Sequence, residues 1–162
     1  MPANEDPAAL RRHAFTLVEI VIVVLILGVL AGIAAPRLVD VTQRAAEGAF
    51  ARELMAAVEA IERYRAIEGG WPPDSNTGTI SRELSGYIDP RSFQGFTPIG
   101  GYWDVETHQH GVECGVGAAF QQGQSPPPNE VLLRIDGLID DGQLDSGSLR
   151  FITRDRYYFV ID

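Results

Sequence analysis

Residues 15–36 read FTLVEIVIVVLILGVLAGIAAP, twenty-two residues with a single charge, Glu19. At 1.5 Å rise per residue a helix of that length spans about 33 Å, slightly more than the hydrocarbon core of a bilayer. The stretch therefore predicts a membrane-crossing helix. Ahead of it stands a fourteen-residue leader, MPANEDPAALRRHA, with Arg11 and Arg12 close to the apolar edge. Positive charge on that side favours a cytoplasmic N-terminus, which exports the rest of the chain.

A secretory signal places its small-residue cleavage site after the apolar run. Here the order is reversed, because the small residue, Ala14, precedes the run. Cutting there would remove only the leader and leave the hydrophobic helix on the mature protein. The expected product is an anchored subunit.

RRHA followed by FTLVEIVIVVLILGVLAGIAAPRL resembles the N-terminal segment of type IV prepilins and type II secretion pseudopilins. The match covers about the first 40 residues closely, including Glu19 and Pro36. The family's usual glycine before the cut is replaced by Ala14, the next smallest residue. The resemblance implies cleavage between Ala14 and Phe15 by a prepilin peptidase that also methylates the Phe15 amine. It further implies a homopolymer built through the N-terminal helix, an inner-membrane assembly platform with a cytoplasmic ATPase, and a head in the periplasm. A major pseudopilin is the member it resembles most; a minor type IV or competence pilin is the alternative.

Glu19 can be read without the family. A carboxylate at the centre of a membrane helix costs about 2.5–3.5 kcal/mol, so one is kept for a partner or a role. Cleavage would create a cationic amine at Phe15, about one helical turn away, and N-methylation would keep its charge. The same pairing between neighbouring chains would set their axial register. Gly28 and Gly32 form a small-xxx-small spacing that lets another helix backbone approach. Pro36 lacks an amide hydrogen and would loosen the helix nearby.

Beyond Pro36 the helical period continues. Leu38, Val41, Ala45, Leu54, Val58, Ile61 and Tyr64 recur at three- and four-residue steps or their sums, with Glu47, Glu53 and Glu59 on other faces. Gly69, Gly70, Trp71, Pro72 and Pro73 then end the helix near Glu68. SRELSGYI, residues 81–88, reads as a short helix. Two hairpins follow: 101–105 with 112–120 across ETHQHG, and 148–153 with 157–161 across RDR. Between them, residues 129–139 form a helix with Val131, Leu132, Ile135, Leu138 and Ile139 on one face and Asn129 as its cap. The fold class is α+β, a long N-terminal helix on an antiparallel sheet of about four strands. The expected segments are a leader at 1–14, a transmembrane and assembly segment at 15–38, the exported helix at 39–68 and a head at 69–162.

Composition narrows the function. The 162 residues, 45% apolar, support one modest domain, and the formal charge is −9. From Gly69 onward 13 acids face 6 arginines, a net −7, which argues against a nucleic-acid surface. A single cysteine, Cys114, closes no intramolecular disulfide and reads as a buried strand residue. Neither a GxSxG elbow nor a phosphate-cradling loop occurs, so the role is structural rather than catalytic.

Two clusters can carry cation chemistry. Asp104, Glu106, His108, His110, Glu113 and Cys114 include an HxH pair that one strand would turn to one side, as zinc requires. A membrane-tethered metal-binding or enzymatic domain would use it, yet a hairpin tip is polar anyway and no fourth ligand is defined, so a solvated turn is favoured. In IDDGQLDSG, Asp140, Asp141 and Asp145 offer oxygens to a hard cation. Many major pseudopilins bind calcium in a C-terminal loop, so the resemblance implies calcium as a candidate there.

Overall fold

A computed structural model of the chain describes residues 15–162, apart from the side chain of Pro36. The leader, with Arg11, Arg12 and Ala14, lies outside the described residues. The first helix, α1, is Leu17–Glu68, and its assignment runs unbroken through position 36. Two compact units divide between Val41 and Thr42.

In the first unit the apolar side chains of α1 are exposed all round, from Phe15 and Leu17 to Leu38 and Val41. Thr16 opens the helix: its Oγ1 accepts a hydrogen bond from the Glu19 amide at 3.2 Å. Thr16 followed three residues later by Glu19 is the spacing of a capping box, and Glu19 stands in the first turn, where the helix dipole favours a negative charge.

The second unit holds the core. Phe50, Leu54, Val58 and Ile61 of α1 share it with residues of a four-stranded antiparallel sheet: β1 (Tyr102–Thr107), β2 (Cys114–Ala119), β3 (Leu149–Thr153) and β4 (Arg156–Ile161). Leu38 and Val41 belong to the exposed run instead. Phe50 is the helix's main anchor, stacked on Trp103 at 5.3 Å between centroids, while Phe93 leans on the same indole at 4.7 Å. The helix ends as its glycines dictate. Gly69 takes a φ of 78° and donates to the Arg65 carbonyl. The Arg65 guanidinium lies 3.9 Å over Trp71 and donates to the Asp162 carbonyl, so the end of α1 is tied to the end of the chain.

The strand order is β1-β2-β4-β3, so the last hairpin inserts its final strand beside β2 and leaves β3 at the edge. Helix α2 (Asn129–Ile139) makes that crossing. Trp103, Val105, Val116, Ala118, Leu149 and Tyr157 are buried on the α1 side. The Tyr157 hydroxyl donates to the Leu132 carbonyl of α2.

Four local expectations change. Residues 81–88 do not form an α-helix; single 3-10 turns at Leu84–Gly86 and Pro90–Phe93 replace it, because Gly86 and Pro90 leave no room for a second turn. Asn129 does not cap α2, whose cap position is Pro128 with no side-chain bond. Leu138 is exposed rather than packed, beside a groove of about 470 Å³ where α1 presents Gly48, Ala51 and Ala56, side chains too small to reach it. Glu47 also departs from the solvent face given it by periodicity. It is buried and paired with Arg134 of α2 through two bonds of 3.0 and 2.7 Å, which hold its carboxyl below the usual range.

Strand β2, CGVGAA, is buried throughout, and at Gly115 and Gly117 the neighbouring strand crowds the space a side chain would need. Gly117 sits between Asp104 and Tyr158 in register, and a Cβ there would run into the Tyr157 carbonyl and lie 2.7 Å from the Tyr158 Cα. Gly117→Ala should destabilise the second unit by about 2–4 kcal/mol in a denaturant titration. Gly137→Ala, at an open position within α2, should be neutral or stabilise by up to about 1 kcal/mol.

Candidate functional site

The N-terminal segment carries the first set of candidates. Phe15 is 73% exposed and Glu19 is exposed in the opening turn, so both are presented outward at the start of the helix. The Thr16 carbonyl accepts from the amides of Glu19 and Ile20, which fixes the helix start two residues after the expected cut. A Cβ at Gly28 or Gly32 would meet no atom of this chain within 4 Å. Their small size is not needed inside the chain and leaves flat ground for another helix. By length and composition α1 can cross a membrane, and its apolar window is uncovered by the rest of the chain. Water is a poor solvent for such a surface; lipid or sister helices suit it.

Residues 10–35 match the prokaryotic N-terminal methylation motif. The matched stretch contains Ala14, Phe15, Glu19, Gly28 and Gly32 and ends one residue before Pro36. It supports a type IV pilin-like or pseudopilin subunit, for which processing by a prepilin peptidase and pilus-like assembly follow. The pilin-like α+β architecture of helix and four-stranded sheet agrees with it. No curated protein and no solved structure matches the chain.

The HxH cluster is not assembled. His108 and His110 lie beyond the end of β1, in the left-handed region with φ of 56° and 51°. His108 Nδ1 faces Glu113 at 3.4 Å and His110 Nε2 faces Glu106 at 3.5 Å, so each imidazole has its own carboxylate. Cys114 is fully buried, and burial pushes its thiol up to about 11, which leaves it protonated and inert.

Asp104 and Glu106 join a different group, on the sheet face away from α1. Asp104, Gly117 and Tyr158 are in register across three strands, and the Tyr158 hydroxyl donates a short hydrogen bond to the Asp104 carboxylate over the glycine between them. Arg156 Nε donates to Glu106 at 2.7 Å and lies 3.9 Å from Asp104. Tyr158 is 0% exposed and Asp104 only 2%. Burial raises the Asp104 carboxyl to about 6, against the lowering effect of the Tyr158 bond, and it drives the Tyr158 phenol up as well. This network was readable in part: D-x-E alternation on β1 puts both acids opposite Trp103 and Val105. Their partners on β4 were not readable, because the strand pairing is decided far along the chain.

The acidic loop is rearranged too. Asp136, Asp140 and Asp141 each offer an oxygen within 4.8 Å of the others, and this group does not include Asp145. Asp136 lies on the buried face of α2 beside Leu132 and Ile135, fully buried, and burial raises its carboxyl above the usual range. Its four-residue spacing from Leu132 and from Asp140 was the available signal.

A carboxyl whose folded pKa exceeds the unfolded value of 3.8 stabilises fully below that value and loses its contribution as pH rises through about 6. For Asp104 a shift of two units corresponds to about 3 kcal/mol. Melting of the wild type and Asp104→Asn from pH 4 to pH 8 should therefore diverge, the variant gaining on the wild type as pH rises. Parallel curves would show that Asp104 keeps an ordinary pKa.

Proposed function

We propose that the chain is a structural subunit of a periplasmic pseudopilus or type IV pilus-like filament, serving type II protein secretion. The observation that carries this reading is the methylation motif on a helix that is apolar on every face and uncovered, with Glu19 in its opening turn. After removal of the leader, the Phe15 amine of one chain meets Glu19 of a neighbour. Opposite charges that must be desolvated together match only at one axial offset, so the pair selects a register while nonpolar packing supplies the affinity. Gly28 and Gly32 allow close backbone approach. Head-to-tail addition then repeats without closing, which makes a filament.

The proposed role is structural, as the methylation motif of a filament subunit suggests. The single cysteine favours a pseudopilin over major pilins with a C-terminal disulfide loop, and the head's net −7 disfavours DNA capture by a competence pilin. The partners are the prepilin peptidase and methyltransferase, an inner-membrane assembly platform and its cytoplasmic ATPase.

Mass spectrometry of the protein from its own cells should show loss of residues 1–14 and an N-methylated Phe15. Glu19→Ala should still be cleaved and inserted, yet be missing from sheared or cross-linked filaments by at least about tenfold, since one mismatched buried charge is worth several kcal/mol. A mature protein that keeps Met1, or wild-type filament yield from Glu19→Ala, would overturn the reading.

A further inference from the structure

The sheet face away from α1 buries more negative charge than its permanent cation matches. Asp104 and Glu106 stand two residues apart on β1, 2% and 4% exposed. One guanidinium, that of Arg156 on β4, reaches both: its Nε lies 2.7 Å from Glu106 and 3.9 Å from Asp104, while its Nη1 donates to Asp155 at 3.3 Å. Asp74, from the segment after α1, adds a further negative field at Asp104, and Tyr158 gives Asp104 only an uncharged hydroxyl. His110 is a further donor at the cluster. Its Nε2 stands 3.5 Å from the same Glu106 oxygen that Arg156 holds.

Two buried carboxylates and one guanidinium leave one negative charge over, which burial makes costly and a proton from solvent removes. Asp104 is the acid placed to take that proton. Its distance from Arg156 exceeds ion-pair contact and its close bond comes from an uncharged group, whereas Glu106 holds the guanidinium at full contact. Burial raises the Asp104 carboxyl to about 6 in keeping with this. In the folded chain the proton is therefore held below that pH and lost above it.

We propose that Asp104, Arg156, Glu106 and His110 form a proton-operated switch on the outer face of the sheet. With Asp104 protonated, Arg156 belongs to Glu106, the arrangement seen in the structure. When the proton leaves to solvent, the Asp104 carboxylate draws the guanidinium toward itself, because an ionised acceptor outbids a neutral one. His110 then donates from Nε2 to the Glu106 oxygen that Arg156 gives up. Arg156 opens β4, and His110 lies in the turn after β1, held in the left-handed region at a φ of 51°. The exchange thus carries a change of pH from the buried face of the sheet to a surface turn. It lies within the second unit alone and stands whether or not the chain builds filaments.

The test uses the full chain in detergent and two double-mutant cycles, each read as the unfolding constant at pH 5 and at pH 8. Arg156→Gln with Glu106→Gln should show coupling of at least about tenfold at pH 5 and less at pH 8. Arg156→Gln with Asp104→Asn should be uncoupled at pH 5 and coupled at least about tenfold at pH 8. Coupling of Arg156 to Asp104 that is equal at the two pH values, or absent at both, would overturn the switch. Where a buried variant fails to fold, carboxyl-carbon NMR of the wild type decides: the Asp104 resonance should titrate with a midpoint near pH 6, and a flat response from pH 4 to pH 8 rejects the proposal. His110→Ala, at an exposed turn position, should move that midpoint upward by about half a unit, because the ionised state loses its substitute donor. An unmoved midpoint would remove His110 from the switch.

Discussion

Nonpolar side chains that no part of their own chain covers have to be covered by something else, and from Phe15 to Val41 this protein leaves them bare on every side of the helix. Burial of apolar surface is worth about 25 cal/mol per Å², so a helix of this kind is driven strongly out of water. That single constraint explains why the segment can anchor in lipid and why it can also pack with copies of itself. It also explains the weight carried by Glu19. Between Phe15 and Pro36 it is the single charge, so it marks one axial position in a run that is otherwise uncharged.

The second unit obeys the opposite rule, because its apolar residues are almost all satisfied internally. Phe50 and Trp103 hold helix to sheet through stacked rings, and Glu47 with Arg134 holds the two helices through a bidentate pair. The sheet is then closed from its other side by a tyrosine. Tyr158 crosses β2 only because Gly115 and Gly117 offer no side chains, and it ends on Asp104. Small residues in β2 are thus a requirement of the neighbouring strand rather than a weakness of its own.

Much of this architecture was legible from local pattern. The membrane stretch, the glycine and proline stop after Glu68, the two hairpins and the helix between them follow from periodicity and turn chemistry, with strand ends shifted by one or two residues. Pattern failed where a residue's neighbour lies far away in the chain. Glu47 looked like a solvent residue because Arg134 is 87 positions distant, and the Tyr158 to Asp104 bond spans 54. The short helix expected at 81–88 failed for a nearer reason: one glycine and one proline outweighed the local spacing.

The sequence by itself determined the apolar helix, the position of Glu19 and the α+β class, since each depends on residues within a few turns or on composition alone. Only the tertiary structure decided which acids are buried and which meet. It gave His108 and His110 different carboxylate partners, carried Asp104 and Glu106 under Tyr158 and Arg156, and put Asp136 rather than Asp145 beside Asp140 and Asp141. Charge is expensive to bury, so its placement is settled by which strands and helices come together, and that is a property of the packed chain rather than of any short stretch of it.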